Sequence, residues 1–111
     1  MKTRIGLKEH VIIFGKAKQR KVLARIDTGA SKSSMDMALA KQLKLGPILR
    51  YRTVKSAHGV AKRALIMARI KLAGRMFKIF FTLADRAHMK YSVLIGRNLL
   101  RQGFIIDPSK K

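Results

Sequence analysis

The residues with the clearest chemical potential lie in one stretch, Arg25-Ile26-Asp27-Thr28-Gly29-Ala30-Ser31-Lys32-Ser33-Ser34. A carboxylate, a hydroxyl and a glycine meet there at the end of the apolar run Val22, Leu23, Ala24, Ile26, where a strand should stop and turn. A carboxylate held on such a turn can take up and give back a proton in acid–base chemistry, and Asp27 is the candidate chemical centre of the stretch. Asp and Gly are also ordinary turn residues, so Asp-Thr-Gly alone reads equally well as a plain turn. A second stretch adds weight: Val93-Leu94-Ile95-Gly96-Arg97-Asn98-Leu99-Leu100 carries an apolar strand into a glycine and then a helix.

Short strands should position both stretches. Residues 11–14 form a β-rich run, 15–21 a polar connection and 22–26 a return strand, a hairpin that ends on Asp27. Ser33 or Ser34 is expected to cap a helix over residues 35–45, in which Met35, Leu39 and Leu43 recur at helical spacing as a core stripe and Gly46-Pro47 stops it. Residues 51–61 are polar and place Gly59 near the tip of a hairpin arm. A long strand over 64–72, a turn at Ala73-Gly74-Arg75 and a partner over 76–83 follow. Phe80 and Phe81 adjoin, which predicts that the partner strand is buried on both faces. A strand over 91–95, a short helix from Gly96 through Gln102 and a terminal strand over 104–107 complete a mainly β chain with one or two short helices.

With 111 residues the chain fits a single domain, 1–111, near the size at which pairing with a second copy adds useful stability. Hydrophobic residues make up 48%, enough for a packed core. The absence of cysteine excludes disulfides and thiolate metal sites. His10, His58 and His88 have no metal-ligand spacing such as His-Glu-x-x-His, and no phosphate-binding Gly-x-x-x-x-Gly-Lys loop occurs, so neither a metal nor another cofactor is expected. Charges near the N-terminus interrupt any signal-peptide core, and no apolar run approaches the roughly 20 residues that cross a bilayer. A cytoplasmic protein with no membrane partner is the expectation. Twenty-six Lys and Arg against five acids give a net charge of +21, spread along the whole chain, which should attract polyanions.

Taken together, Asp27-Thr28-Gly29-Ala30 and the downstream Leu94-Ile95-Gly96-Arg97-Asn98-Leu99-Leu100 resemble the retropepsins, the dimeric aspartic proteases of retroviruses. Further stretches narrow the resemblance: Ile5-Gly6-Leu7-Lys8-Glu9-His10-Val11, Val54-Lys55-Ser56-Ala57-His58-Gly59, Leu83-Ala84-Asp85-Arg86-Ala87-His88-Met89-Lys90-Tyr91 and Ile106-Asp107-Pro108-Ser109. With these, nearly the whole chain is similar to the cellular retropepsin-like family labelled ATP-dependent zinc proteases and associated with ribosomal-protein glutamate ligases. The zinc and ATP of that label find no support in these residues.

The resemblance implies an acid-protease fold, a closed β-barrel-like protomer, and a homodimer in which two copies of Asp27 meet and share one proton. Thr28 would hydrogen-bond across the two-fold axis, the Gly29 backbone would accept substrate, and Arg97 would support the active-site strand. Residues 53–63 would form a flap over the substrate, with Ala57, His58 and Gly59 at its tip. Arg25, Ala30, Lys32 and Tyr91 would line the cleft with them. The chain departs from the viral pattern at Ser31, where a carboxylate that pairs with the arginine is usual, so Arg97 needs another partner. A pocket walled by Arg25 and Lys32 would favour acidic side chains, and the link to glutamate ligation implies an acidic or glutamate-tailed polypeptide as substrate. Two other functions compete: a protease-shaped regulator that binds a glutamate ligase or ribosomal protein without cutting, and a non-specific nucleic-acid binder, with RNA adhesion as an incidental property even of a protease.

Overall fold

The computed structural model describes residues 2–57 and 59–110, so His58, one of the expected flap-tip contacts, lies outside the described residues. Its strands are β1 (Thr3–Ile5), β2 (Lys8–Phe14), β3 (Gln19–Ile26), β4 (Ser33–Asp36), β5 (Arg50–Ser56), β6 (Gly59–Leu72), β7 (Arg75–Ala84), β8 (Val93–Ile95) and β9 (Phe104–Ile106), with helices α1 (Met37–Gln42) and α2 (Arg97–Leu100). One sheet runs β2-β3-β8-β4-β7-β6-β5, and an added β2–β6 pairing closes its first six strands into a barrel. Strand β5 pairs with β6 from Arg50↔Leu65 to Ser56↔Gly59 and forms the far arm of a hairpin.

Alternation explains the closure. In β6, Ile66, Ala68, Ile70 and Leu72 point inward and are buried, while Arg69 and Lys71 face solvent. Val11 and Ile13 of β2, Ala24 and Ile26 of β3, and Phe77, Ile79 and Phe81 of β7 meet them in one core. Strand β7 alternates through Phe81, leaving Phe80 44% exposed, and is buried on both faces only at Phe81 and Thr82. Burial on both faces along the whole strand is therefore corrected: a barrel wall has an outer surface, and Phe80 lies on it.

The helix expected over 35–45 is also corrected. Ser33 and Ser34 belong to β4, which inserts between β8 and β7, and the helix covers only Met37–Gln42. Alternation decides this, because Ser33 and Met35 are both fully buried on one face of β4. Asp36 becomes the N-cap residue without a side-chain cap bond. Met35, Leu39 and Leu43 all pack in the core, as their stripe predicts.

The chain ends are tied together. Strand β1 pairs with β9 in parallel, from Thr3↔Phe104 to Ile5↔Ile106, an element that the sequence reading lacks at its N-terminal side. Glu9 Oε2 accepts from the Gly6 amide at 2.8 Å and from Lys110 Nζ at 2.8 Å. Burial pushes the Glu9 carboxyl up, but the Lys110 and Gly6 hydrogen bonds outweigh it and hold the group below its ordinary 4.5. Asp107 is held below its ordinary 3.8 by the Ser109 hydroxyl and amide, with Arg4 nearby. Depressed carboxyls stabilise the fold above their unfolded values and stop doing so as pH falls through the folded ones. Thermal stability should thus decline as pH drops below about 4.5, and Glu9→Gln should flatten part of that decline. Melting curves that fall in parallel for wild type and Glu9→Gln would refute this account of the terminal clasp. Among the described residues no helix is long and apolar enough to cross a membrane.

Candidate active site

Parallel pairing of β3 with β8, Arg25↔Leu94 and Ile26↔Ile95, sets the loop after Ile26 beside the turn after Ile95. The Asp27 amide donates to the Ile95 carbonyl at 2.9 Å, which anchors the first residue of the loop. Asp27 Oδ1 accepts from the Gly29 amide at 2.9 Å, and the Asp27 carbonyl accepts from the Ala30 amide at 3.3 Å. The loop thus curls around its own carboxylate. A Cβ on Gly29 would lie 3.2 Å from Asp27 Oδ1, so the absence of a side chain leaves that carboxylate room to sit where it does.

Arg97 finds the partner that Ser31 does not provide. Its Nη1 donates to the Thr28 carbonyl at 2.8 Å and its amide to the Ala30 carbonyl at 2.8 Å, gripping the loop at two points. A second brace comes from Ser33 and Asn98. Ser33 Oγ donates to Asn98 Oδ1 at 2.7 Å and accepts from the Gly96 amide at 3.0 Å, while Asn98 Nδ2 donates to the Phe80 carbonyl at 3.0 Å. The sequence alone suggests a helix cap for Ser33 and no role for Asn98. The available signal is the strand alternation that puts Ser33 inward with Met35.

Between this loop and the β5–β6 hairpin lies an open cavity of about 570 Å³, lined by Lys32, Arg52, Lys55, Arg63 and Arg86 together with Gly29, Ala30 and Ser34. No carboxylate lines it among the described residues. Arg52 and Arg63 are direct cross-strand neighbours, a like-charge pair that opposes hairpin formation. Arg86 is buried; its Nε donates to the Tyr91 carbonyl at 3.0 Å and its amide to Asp36 Oδ1 at 2.9 Å. Burial, then the nearby Arg63 and Arg25, lower the affinity of Arg86 for its proton, while Asp36 and Asp27 work the other way. Ser34 Oγ is buried without a hydrogen-bond partner. Sequence reasoning misses Arg52, Lys55, Arg63 and Arg86 as site residues; the concentration of cations on the two hairpin arms is the signal for three of them.

Not all expected residues gather here. Arg25 and Tyr91 line a second hollow of about 820 Å³ with Leu7, Lys8 and Lys110, one that Lys32 does not border. Within one protomer Arg25 and Lys32 border different hollows, although Arg25 lies near enough to Arg86, in the first cavity, to lower its proton affinity. Thr28 is exposed, Ala57 is exposed at the hairpin tip, and Gly59 opens β6 with φ of 114° and free space around it. Among the described residues no three His, Cys, Asp or Glu side chains converge.

Comparison with solved structures places the fold. The chain is similar to a Legionella pneumophila protein with unknown function (TM-score 0.71, 20% identity, 98% of this chain and 95% of that one). It is also similar to EIAV protease complexed with an inhibitor (TM-score 0.69, 23% identity, 86% and 85%) and to simian foamy virus protease (TM-score 0.63, 17% identity, 85% and 91%). At these identities the likeness establishes a mainly β, closed-barrel fold like that of retroviral proteases. Two curated relatives, each named "Probable alpha-L-glutamate ligase", come from Shewanella halifaxensis (33% identity over 57% of this chain) and Shewanella pealeana (35% over 53%). The chain spans only 14% and 13% of their lengths. Residues 35–111 match the family model RimB-like, described as "Retropepsin-like aspartic endopeptidase RimB", a match that begins downstream of the Asp27 loop. With that match over most of its length and the protease barrel around it, the chain belongs to the RimB-like family of retropepsin-like aspartic endopeptidases.

Proposed function

We propose that the protein is a homodimeric aspartic endopeptidase in which Asp27 of two protomers cleaves acidic polypeptide. The observation that carries this reading is the placement of Asp27 on a doubly braced loop beside a cavity walled, among the described residues, by five cations and no acid. The other four carboxylates of the chain are engaged elsewhere: Glu9 with Lys110, Asp36 with the Arg86 amide, Asp85 with the Ala87 amide and Asp107 with Arg4 and Ser109. A second carboxyl for the reaction must then come from a second copy. The exposed Ile105, on the small β1–β9 sheet, and Leu7, just after β1, offer that copy an apolar seat.

In the proposed step the ionised member of the pair takes a proton from water as the oxygen attacks the peptide carbon. The protonated member gives its proton to the carbonyl oxygen; on collapse that member, now ionised, takes a hydroxyl proton back as the C=O bond re-forms, and the other gives the proton taken from water to the leaving nitrogen, so the pair again shares one proton. Arg97, holding the Thr28 and Ala30 carbonyls, acts by positioning. The β5–β6 hairpin closes over the bound chain and excludes water. Repulsion between Arg52 and Arg63, and around Arg86, is relieved when substrate carboxylates enter, which supports an acidic sequence. The names of the two Shewanella relatives favour glutamate-rich chains in particular, and a glutamate ligase as a functional neighbour.

Purified protein should have a solution mass of twice 12.5 kDa and should cut a glutamate-rich peptide while sparing its glutamine-substituted counterpart. Cleavage of both peptides at the same rate would remove the acidic preference. A dimer that binds the glutamate-rich peptide and never cuts it would favour the non-catalytic regulator.

A further inference from the structure

The outer wall of the barrel carries a second basic surface that the cleft does not explain. Register places Gln19, Phe14, Arg69 and Lys78 in one row across β3, β2, β6 and β7, and Lys21, Ile12, Lys71 and Met76 in the next. Phe14, Arg69 and Lys78, with Met67 one row further along, border a cavity of about 350 Å³. Lys16, from the β2–β3 turn, and Lys44, from the loop after α1, close its rim, and no carboxylate lines it among the described residues. The Arg69 guanidinium sits 5.9 Å from the centre of the Phe14 ring. Met76 is 49% and Phe80 44% exposed on the same outer face. Phe14 pairs with Gln19, at the end of the β2–β3 hairpin away from Asp27, so about 25 Å of β3 separates the Phe14 ring from the catalytic loop.

The chemistry differs from that of the cleft. Among the described residues the cleft cavity is lined by cations and no aromatic ring, as suits carboxylates. Here cations surround an aromatic and thioether floor. A glutamate side chain would use the cations and leave the floor uncovered, whereas a nucleotide uses both, its phosphates on the lysines and its base on the ring. We propose that this face is a binding site for single-stranded RNA, with Phe14 and Arg69 as the base platform and Lys16, Lys44 and Lys78 as phosphate contacts. The Phe14–Arg69 platform lies at the far end of the strands from the cleft, so a base there and a chain in the cleft can be bound at once.

Fluorescence anisotropy with a labelled twelve-nucleotide RNA of mixed sequence, and with an abasic strand of equal length and charge, tests the site on the full chain. Wild type should bind the RNA about 5- to 10-fold more tightly than the abasic strand, the size expected for one stacked base. Phe14→Leu should erase that difference. Arg69→Gln with Lys78→Gln should reduce the slope of log affinity against log salt by about 1.4, two contacts at roughly 0.7 each. The exposed pair Lys2→Gln with Lys90→Gln, which removes the same charge elsewhere, should leave the slope unchanged. Thermal melting confirms that each variant is folded; if Phe14→Leu is not, the abasic comparison and the two charge pairs still decide. Equal affinity for RNA and abasic strand, equal slopes for the two charge pairs, or displacement of RNA by polyglutamate at matched charge would each overturn the proposal.

Discussion

Asp27→Asn is expected to lower peptide hydrolysis by about 10³- to 10⁴-fold while leaving fold and dimer intact, the scale of a lost general acid–base pair. The substitution is nearly isosteric. An asparagine oxygen can still accept from the Gly29 amide, and the Asp27 amide bond to Ile95 and the two Arg97 contacts do not involve the replaced atom. Melting temperature should therefore barely move. What is lost is the group that ionises. A mixture sharpens the test. If two copies of Asp27 form one site, protomers of wild type and variant re-equilibrated in equal amounts give active pairs in about a quarter of dimers, whereas independent sites would retain about half. Retention of half the activity would show that one Asp27 suffices, and unchanged activity of the pure variant would remove Asp27 from the chemistry altogether.

The barrel is legible because its strands alternate. The β2–β3 hairpin, the β6–β7 pair and the strand-glycine-helix run at β8 and α2 all follow from apolar spacing and turn residues. The segment after Asp27 is not, since Met35, Leu39 and Leu43 fit a helical stripe as well as a strand that hands over to a helix. Only the gap between β8 and β7, which β4 fills, separates the two readings, and that gap exists only in three dimensions. Strand β1 is similar: three residues gain their pairing from β9, about a hundred positions away.

The candidate site divides along the same line. Asp27, Gly29 and Arg97 stand out because their types are informative in sequence, although the contact of Arg97 with the Thr28 carbonyl does not. Arg86 carries no local signal among 26 basic residues. It becomes distinct only by burial and by its contacts, the nearby Tyr91 carbonyl on its Nε and the sequence-distant Asp36 carboxylate on its amide. Arg25 and Lys32 illustrate the converse. Seven residues apart across a turn, they look like neighbours and face different hollows.

Gly96→Ala should damage both stability and activity, through space and not through backbone conformation. Gly96 is extended, with φ of −103° and ψ of −171°, which alanine adopts freely. The obstacle is the chain that crosses it: a Cβ would clash with the Lys32 carbonyl oxygen and lie 2.6 Å from its carbon and 2.8 Å from the Ala30 carbonyl oxygen. These are backbone atoms, so residues 30–32 must move as a unit. Moving them breaks the Arg97 amide bond to Ala30 and stretches the Ser33 bond to the Gly96 amide, the two links that hold the Asp27 loop to α2. Overpacking of this kind costs about 1–3 kcal/mol, which for a domain of this size lowers the melting temperature by roughly 5–20 °C. Activity should fall further than stability does, by about 100-fold even at temperatures where the variant is folded, because a displacement near 1 Å at the catalytic loop is enough. Gly74→Ala serves as the comparison. Gly74 has φ of 77° and open space where a Cβ would stand, with nothing within 4 Å, so alanine there strains one turn of the β6–β7 hairpin and lowers stability while sparing the loop. If Gly96→Ala loses activity only in proportion to its unfolding, as Gly74→Ala should, the crossing of residues 30–32 over Gly96 supports the fold and does not set the position of Asp27.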